Sequence, residues 1–334
     1  MILARGIPLK VIGGLQMNAQ FNDNLKLQEA DGVEITTIID NYTDVILEST
    51  EVARRAPIYA GEWISPAPLA EHGLSLLIKV FRGSEEHTIL FDAGWSDIGV
   101  PFNLKLFGID VNKVEAIVLS HGHMDHIGAL MEILKVKKSV PLILHPHAFA
   151  APRGLKLPNG RMVKFPTLDE QAVIKAGADV VKTKSPHLLA SGLAASTGEI
   201  KRVTDFEKGM PNACLERNGK IEPDPILDDQ AIVIHVKGKG LVVVSGCGHA
   251  GIINTIYHGR NITKIDKVYA VLGGFHLSGP LFQPIVGRTV EELKKIDPEI
   301  IVPMHCTGWY AINEIAKEMP GRFVLNSVGT RLIL

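Results

Sequence analysis

Residues 115–128 read Glu115-Ala-Ile-Val-Leu-Ser-His121-Gly-His123-Met-Asp125-His126-Ile-Gly128, and this stretch decides the fold of the 334-residue chain. Its apolar first part, rich in β-branched residues, predicts a buried strand that stops at Ser120. Four candidate metal ligands follow within six residues, and the apolar residues after them recur at helical spacing. We therefore predict a ligand-bearing loop between this strand and a helix that starts just past the ligands.

The four ligand-type side chains fall into two pairs. In an extended stretch, side chains two residues apart point the same way, so His121 and His123 can share one metal ion. Asp125 and His126 lie where the chain turns into the helix, and we expect them to face a second ion. Imidazole with a few carboxylates suits zinc, with iron or manganese as alternatives, and we predict one or two Zn²⁺ ions as the cofactor. A polar turn with merely exposed histidines is the alternative interpretation, which this spacing after a buried strand disfavours.

The composition is typical of a globular protein without special targeting. Hydrophobic residues make up 46% of the chain and charged residues 21%, and the net charge of −1 argues against broad nucleic-acid binding. No apolar run approaches the ~20 residues of a membrane span, and the N-terminus shows no secretion signal. Three cysteines make no disulfide framework. These observations predict a cytoplasmic protein without membrane contact that acts on a small molecule.

The order of predicted elements occurs twice along the chain. A hairpin, a strand, a helix and a strand occupy residues 74–144, and the same order returns over residues 231–305. Two such halves predict one α/β (α+β) domain over residues 1–334, a four-layer αββα sandwich. We further predict a strand at 33–39, helices at 45–54 and 168–176, and loop-rich insertions near the site at 42–70 and 150–230.

Polar residues end the predicted strands of both halves, so they should gather at one edge of the two sheets. His249 and His305 are predicted as the remaining metal ligands, because the first loop leaves coordination positions unfilled. His276 is a candidate for substrate contact or acid–base chemistry, and His187 is a rival third ligand for the first ion. Cys247 has three interpretations: a thiolate ligand, a substrate contact, or a small packed residue.

Two further groups of residues are candidates for the site. A hairpin brings the start of its first strand near the end of its second, which places His72 near Asp92 as candidates for metal or substrate contact. The glycine-rich turn at 246–251 leads into a predicted helix, and such a turn presents backbone N–H groups to an anion. We therefore predict phosphate binding at Gly248, Gly251 and, in a later glycine pair, Gly274.

Several of these motifs resemble those of the metallo-β-lactamase superfamily. The stretch from His121 to His126 is similar to its His-x-His-x-Asp-His motif, and Asp92-Ala-Gly94 is similar to its Asp-x-Gly strand end. Four more motifs resemble the family named for 7,8-dihydropterin-6-ylmethyl-4-(β-D-ribofuranosyl)aminobenzene 5′-phosphate synthase: Glu71-His-Gly-Leu-Ser75, Ser245-Gly-Cys-Gly-His-Ala-Gly-Ile-Ile-Asn254, Gly273-Gly-Phe-His-Leu277 and Pro303-Met-His-Cys-Thr-Gly308. The resemblance spans most of the chain, with the motifs in order.

The superfamily resemblance implies how the metal ions are held. It implies a first ion on the two histidines of the His-x-His pair plus a third histidine. A second ion is implied on Asp125, His126 and a final histidine, which matches His305. The usual bridging aspartate falls at Cys247 here, and this departure disfavours an ordinary β-lactamase.

The family resemblance implies an enzyme that joins a phosphate-bearing pterin to an arylamine. The metal ions would assist the departing diphosphate while His276 handles a proton, and Asp125 and His276 are the predicted catalytic residues. A metal-dependent hydrolase of a phosphoester, lactone or thioester would use the same residues. A non-catalytic, metal-dependent ligand sensor is the third hypothesis, and the oligomeric state is not predicted.

Overall fold

The computed structural model describes residues 25–150 and 152–334. The predicted lack of a secretion signal concerns the first residues of the chain, which lie outside this range. In the described part of the chain, no helix combines the length and apolarity needed to cross a membrane.

The described residues form strands and helices throughout. The strands are β1 Glu29–Ala30, β2 Gly32–Ile39, β3 Ala53–Arg54, β4 Tyr59–Ala60, β5 Trp63–Ile64, β6 Ser75–Arg82, β7 Glu85–Phe91, β8 Ala116–Val118, β9 Val140–Leu144, β10 Arg153–Lys156, β11 Met162–Lys164, β12 Ala178–Lys182, β13 His187–Leu189, β14 Ala194–Ser196, β15 Ala213–Arg217, β16 Lys220–Pro223, β17 Ala231–Val236, β18 Gly240–Ser245, β19 Val268–Gly274, β20 Ile300–Met304 and β21 Arg331–Ile333. The α-helices are α1 Gly99–Leu106, α2 Met124–Ile127, α3 Leu130–Val136, α4 Glu170–Ala176, α5 Ile252–Thr263, α6 Val286–Ile296 and α7 Trp309–Glu318.

Two large mixed sheets face each other across the main core. The first has the strand order β12-β9-β8-β7-β6-β2-β21-β3, and the second has the order β13-β14-β17-β18-β19-β20, with β1 beside β17. The core between them is built from apolar side chains of both sheets. A second cluster joins the outer face of the first sheet to α1, α3 and α4, and a third joins the second sheet to α5, α6 and α7. This confirms the predicted four-layer αββα sandwich.

The predicted repeat is present in the pairing of the strands. In the first sheet β6 and β7 form an antiparallel hairpin, and β8 and β9 continue it in parallel with β7. In the second sheet β17 and β18 form the hairpin, and β19 and β20 continue it in parallel. The carboxyl ends of parallel strands meet at one edge of a sheet. The polar residues that follow them are thereby brought to the same region of each sheet.

The helix predicted at residues 45–54 is wrong. This segment forms turns that lead into the short strand β3. The Asp44 carboxylate accepts a hydrogen bond from the N–H of Ile46, and the Thr50 hydroxyl accepts one from the N–H of Ala53. Short polar side chains that bond nearby backbone groups compete with helical hydrogen bonds, which explains the difference.

The segment at 150–230 is more structured than the loop-rich insertion that we predicted. Strands β10, β11, β15 and β16 form a separate four-stranded sheet, β12 extends the first large sheet, and β13 and β14 extend the second. The helix predicted at 168–176 forms as α4. The helix after the ligand loop begins earlier than predicted, because Asp125 and His126 lie inside the one-turn helix α2.

Candidate metal centre

Candidate metal ligands from both halves converge between the ends of the two sheets. In the described residues, three groups of side chains hold their ligand atoms within 4.8 Å of one another: His121, His123 and His249; Asp125, His126, Cys247 and His305; and Cys247, His249 and His276. The first two groups contain every residue that the sequence predicted as a metal ligand. The site is thereby assembled from one loop of the first half and three strand ends of the second.

The first group is arranged with ring nitrogens facing each other. Nε2 of His121 lies 3.2 Å from Nε2 of His249, and the rings of His121 and His123 are 4.4 Å apart. Nδ1 of His121 donates to the Ser120 hydroxyl at 2.9 Å, which leaves Nε2 as an acceptor. Two imidazole nitrogens this close must share a proton or a cation, and a divalent cation would satisfy both.

Burial keeps the three histidines of the first group uncharged. Burial lowers the pKa of His121 and of His249 well below the usual range of an imidazole, and the neighbouring histidines add to the effect. Burial and the Arg153 guanidinium lower the pKa of His123 to about 4. A histidine must be neutral to donate its lone pair to a metal, so these three side chains are ready to bind one near pH 7.

The second group centres on the Asp125 carboxylate. Its Oδ2 lies 3.2 Å from Nε2 of His305 and 3.7 Å from Nε2 of His126. Both nitrogens are buried without a hydrogen-bond partner in the described structure. Burial raises the pKa of Asp125, but the neighbouring His126 and His305 outweigh this effect and hold the pKa well below the usual range. A carboxylate beside two unpartnered nitrogens fits a bound cation.

Asp92 supports this group from behind. Its carboxylate accepts hydrogen bonds from Nδ1 of His126 at 2.7 Å and from both the N–H and the hydroxyl of Ser120 at 2.7 Å. Burial lowers the pKa of His126, but the Asp92 and Asp125 charges outweigh it and raise that pKa to about 9. Both Asp92 oxygens therefore accept hydrogen bonds from protein groups, and Asp92 orients the His126 ring. Its contact with a metal or a substrate stays a prediction.

His72 and His187, the two other candidate histidines, differ in their distance from the centre. Nε2 of His72 lies 4.0 Å from Asp125 Oδ2, and its ring is 5.0 Å from that of His305, so it borders the second group. His187 begins β13 and belongs to none of the three groups found in the described residues. His249 lies with His121 and His123 in the first group, and its role as the third ligand stays a prediction.

Cys247 lies between the two predicted ion positions, because it belongs to both the second and the third group. Its Sγ is 3.1 Å from Sγ of Cys306 and 3.7 Å from Nδ1 of His276. Burial and the neighbouring Cys306 raise the pKa of the Cys247 thiol well above its usual range. A divalent cation at this position would remove that proton, since a coordinating thiol is deprotonated outright.

The N-terminus of α5 is closed by a carboxylate from the 150–230 segment. The two oxygens of Glu207 accept hydrogen bonds from the N–H groups of Ile253 at 3.0 Å and Asn254 at 2.8 Å. Burial raises the pKa of Glu207 to about 7. A Cβ added to Gly251, which has a φ of +99°, would lie 2.2 Å from the nearer Glu207 oxygen. Only glycine therefore allows this close approach.

Two of the three glycines predicted to bind phosphate use their N–H groups within the chain. The N–H of Gly251 donates to the carbonyl of Gly248, and the N–H of Gly274 donates to the carbonyl of Gly246. The N–H groups of Gly251 and Gly274 therefore already have protein partners, and Glu207 occupies the N–H groups at the end of α5. Phosphate binding at Gly248 stays a prediction.

A buried ion-pair network that the sequence did not predict holds the first ligand loop. The Arg153 guanidinium donates to both oxygens of Asp228 at 2.7 and 3.0 Å and to Asp224 at 2.6 Å. Asp228 also accepts the N–H of Gly122, the residue between the two ligand histidines, at 2.8 Å. On its other side, a Cβ on Gly122 would lie 2.2 Å from the Ala148 carbonyl. The loop is therefore fixed from two sides.

Residues 40 and 41 hold the last ligand in place. The Asp40 carboxylate accepts the N–H of His305 at 2.8 Å, and Oδ1 of Asn41 lies 3.2 Å from Nδ1 of His305. Asn41 also reaches Nδ1 of His72 at 3.2 Å. The sequence predicted only a turn at this position, and a polar pair directly after a buried strand was the one available signal.

Three aromatic rings border the candidate ligands from separate elements. Phe165 lies 5.2 Å from the His123 ring, Phe282 lies 4.6 Å from the His276 ring, and Trp95 lies 6.0 Å from the His72 ring. Each meets its histidine edge to face. The centre therefore has flat apolar walls beside its polar base, a combination that suits a planar organic ligand.

Comparison with known proteins agrees with this geometry. Residues 70–305 match the family model described as the metallo-beta-lactamase superfamily. The chain is 35% identical over 285 residues to a Methanocaldococcus jannaschii protein named 7,8-dihydropterin-6-methyl-4-(beta-D-ribofuranosyl)-aminobenzene-5'-phosphate synthase, covering 83% of this chain and 94% of that one. An uncharacterised protein of the same archaeon is 31% identical, covering 78% of this chain and 92% of its own length.

Among solved structures, Tm1679, described as a metal-dependent hydrolase of the beta-lactamase superfamily, superposes with a TM-score of 0.67. The match covers 90% of this chain and 98% of Tm1679 at 24% identity, which supports the fold. The chain therefore belongs to the metallo-beta-lactamase superfamily, as an enzyme of the family that includes the archaeal synthase.

Proposed function

We propose that this enzyme joins a phosphate-bearing dihydropterin to a ribofuranosylaminobenzene 5′-phosphate. The observation that carries this proposal is the extent of similarity to the Methanocaldococcus jannaschii synthase, at 35% identity over 94% of that protein. The similarity extends over nearly the whole length of that protein and over 83% of this chain. Similarity of the fold alone would not separate this reaction from others in the superfamily.

We propose zinc as the metal, with iron or manganese as alternatives. One ion would be held by His121, His123 and His249, and a second by Asp125, His126, His305 and Cys247. Nitrogen and sulfur donors in these numbers suit Zn²⁺. When bound, a divalent cation supplies Lewis acidity that stabilises negative charge on a departing phosphate oxygen.

Two residues of the chain, His276 and Asp125, would have separate roles in the proposed reaction. The arylamine nitrogen forms a bond to the pterin methylene carbon, the bond to the diphosphate oxygen breaks, and the nitrogen loses a proton. His276 is half-buried beside His249, at 4.1 Å between ring centroids, and is the group that we propose takes this proton. Asp125 keeps its negative charge and thereby holds His126 and His305 in position.

The aromatic walls support a planar substrate. Phe165, Phe282 and Trp95 lie beside histidines of the centre and come from three different parts of the chain. Stacked or edge-to-face aromatic contacts are worth about 0.5–1.5 kcal/mol each beyond their buried area. We propose that these rings orient the pterin and the aminobenzene ring against each other.

A hydrolase is the second candidate function. The specific observation in its favour is that the first two ligand groups adjoin each other, because paired metal sites can activate water for attack on a phosphoester, lactone or thioester. In this reaction a water molecule would replace the arylamine as nucleophile. The two functions therefore differ in whether the departing group leaves without the second substrate.

One experiment tests both functions. Metal-loaded protein is incubated with a dihydropterin methyl diphosphate, with and without the ribofuranosylaminobenzene phosphate, and product and diphosphate are quantified. A synthase releases diphosphate and condensation product in equal amounts, and only when the arylamine is present. Diphosphate release without the arylamine indicates a hydrolase, and no condensation by the metal-loaded wild type contradicts the synthase proposal.

Matched histidine variants provide the controls. His123→Ala removes a candidate ligand and should abolish the reaction, whereas His235→Gln alters a partly exposed histidine on β17 and should leave it unchanged.

We also propose a cytoplasmic location with a phosphorylated small molecule as the partner. The support is that the three cysteines are all free and buried, as in a reducing compartment.

A further inference from the structure

A cavity lies on the outer face of the first sheet, and its lining is separate from the candidate metal centre. Its volume is about 640 Å³, and no residue that lines it belongs to the three groups of candidate metal ligands. Small-molecule sites are typically about 300–1,000 Å³. The cavity is therefore large enough for a ligand of its own.

The floor of this cavity follows from strand alternation. Successive side chains of a strand point to opposite faces, so Ile35 and Ile78 enter the core between the sheets while Thr36 and Lys79 face the other way. Helices cover only part of this outer face. The cavity occupies the remainder, from β7 across β6, β2 and β21 to β3.

The roof is the segment from Arg54 to Pro68. Its hairpin, β4 and β5, pairs with no other strand in the described structure. Trp63 and Ile64 are each 80% exposed, so the hairpin carries large apolar side chains into solvent. A two-stranded hairpin is only marginally stable by itself in water. The roof therefore spans the sheet as a strap, and a molecule beneath it would stabilise it.

One end of the cavity is crowded with positive charge. Arg54 of β3 and Arg331 of β21 are direct cross-strand partners, and Arg55 lines the same end. Only Glu34 approaches Arg331, at 3.6 Å, while Arg54 forms no salt bridge with a described residue. Like charges directly opposite each other on neighbouring strands are destabilising. An anionic group between these two arginines would remove that repulsion.

The rest of the cavity is elongated and has both polar and apolar walls. Polar residues also line it, namely Thr36, Lys79, Thr88, Asp110 and Lys113, and Lys79 is paired with Glu86 at 2.8 Å. Its apolar side chains are those of Ile58, Leu77, Leu106 and Phe107. Four strand spacings separate β7 from β3, which corresponds to about 19 Å at ~4.8 Å per spacing. The space thus has arginines at one end and an apolar wall along its length.

We propose that this cavity binds a molecule with one anionic end group and an elongated apolar body. The anionic group lies between Arg54 and Arg331, and the apolar body lies under the strap against Leu77 and Phe107. Carboxylate and phosphate end groups share this chemistry. The site is independent of the proposed reaction, because it uses none of the residues of the metal centre.

The test is isothermal titration of the full-length protein with dodecanoate, dodecyl phosphate and dodecanol, each below its micelle concentration. We expect saturable binding of one equivalent of either anion, and at least tenfold weaker binding of the uncharged alcohol. Arg54→Gln combined with Arg331→Gln should weaken anion binding at least tenfold. Arg217→Gln, an exposed arginine on β15, is the matched control and should leave it unchanged.

Further readouts locate the bound molecule. Binding should slow proteolytic cleavage of the strap, and it should persist in His123→Ala. Four results overturn the proposal: no saturable binding of either anion, equal affinity for the alcohol, displacement of the anion by the pterin substrate, or a dimer in sedimentation that the double arginine substitution dissociates. The last would assign this face to a second copy of the chain.

Discussion

The two halves of the molecule supply candidate metal-binding side chains in different ways. The first half places four of them on one short segment that follows β8 and runs into α2, whereas the second half brings them from the ends of three strands. The supports also differ. Asp92 contacts the His126 ring and the Arg153–Asp228 pair holds the backbone of the first segment, whereas at His305 the Asp40 carboxylate holds the backbone and the neutral Asn41 side chain contacts the ring. In a local motif, the backbone of one short segment sets the distances between the ligand side chains. When the ligands come from several strands, those distances depend on the register of the sheet.

Removal of one ligand from each half should have the largest effect. His121→Ala removes a ligand of the first group, and His305→Ala removes one of the second. We expect each variant to bind fewer metal ions and to lose more than the roughly 100-fold that loss of an outer partner can cost. Elemental analysis and turnover measure the two effects. Unchanged metal content in either variant would refute the corresponding group.

Loss of the buried guanidinium should destabilise the first half. Arg153→Met leaves Asp224 and Asp228 buried without their cation, and breaking such a pair costs about 3–5 kcal/mol in the free energy of unfolding. Urea unfolding measures this loss. The triple variant Arg153→Met, Asp224→Asn, Asp228→Asn removes the unpaired charges and should recover part of it. Equal stabilities of the single variant and the wild type would show that the network contributes little.

The supports of the two halves can be compared directly. Asp92→Asn replaces an oxygen that accepts from His126 and should weaken metal binding about 10–100-fold. Asn41→Ala removes a neutral partner of His305, and because neutral hydrogen bonds are weaker we expect a loss below about tenfold. Competition with a chromophoric chelator gives both affinities. The opposite order would mean that the second half depends more on its supports.

A further predicted effect concerns metal preference at the position between the two predicted ion sites. Cys247→Asp replaces a soft sulfur donor by a hard carboxylate and should shift the ratio of Zn²⁺ to Mn²⁺ affinity by about tenfold towards Mn²⁺. Metal titration of both proteins measures the ratio. Cys214→Ser, at a buried cysteine in the small sheet, is the control. An unchanged ratio would remove Cys247 from the coordination sphere.

The sequence predicted the sandwich and the candidate ligands because both are repeated patterns. Apolar strands that end in histidines, aspartate or cysteine recur in the same order in each half, and this order placed His249 and His305 beside a loop that lies more than 100 residues away. Strands β18, β19 and β20 pair in parallel, and this brings the residues that follow them to one edge of the sheet. The apolar pattern is sufficient to predict these strands, because a buried parallel strand requires a continuous run of apolar residues.

The supporting residues could not be predicted, because their partners are distant and leave no local pattern. Arg153 and Asp228 are 75 residues apart, and nothing near either residue indicates a buried ion pair. The helix expected at 45–54 failed for a related reason, because single side-chain hydrogen bonds override propensity. Glu207 illustrates the same point, since a carboxylate in an irregular segment gives no sign that it caps a helix beginning at Ile252.

The contact between Glu207 and α5 also suggests how an added anion could control the stability of the fold. The carboxylate accepts hydrogen bonds from two N–H groups at the N-terminus of α5, so Glu207→Ala would leave both groups without a partner and open to an added anion. Acetate or phosphate added to this variant should restore part of the lost thermal stability, while the wild type should respond little. The added anion would thereby replace the Glu207 carboxylate, and the stability of the variant would depend on the concentration of that anion.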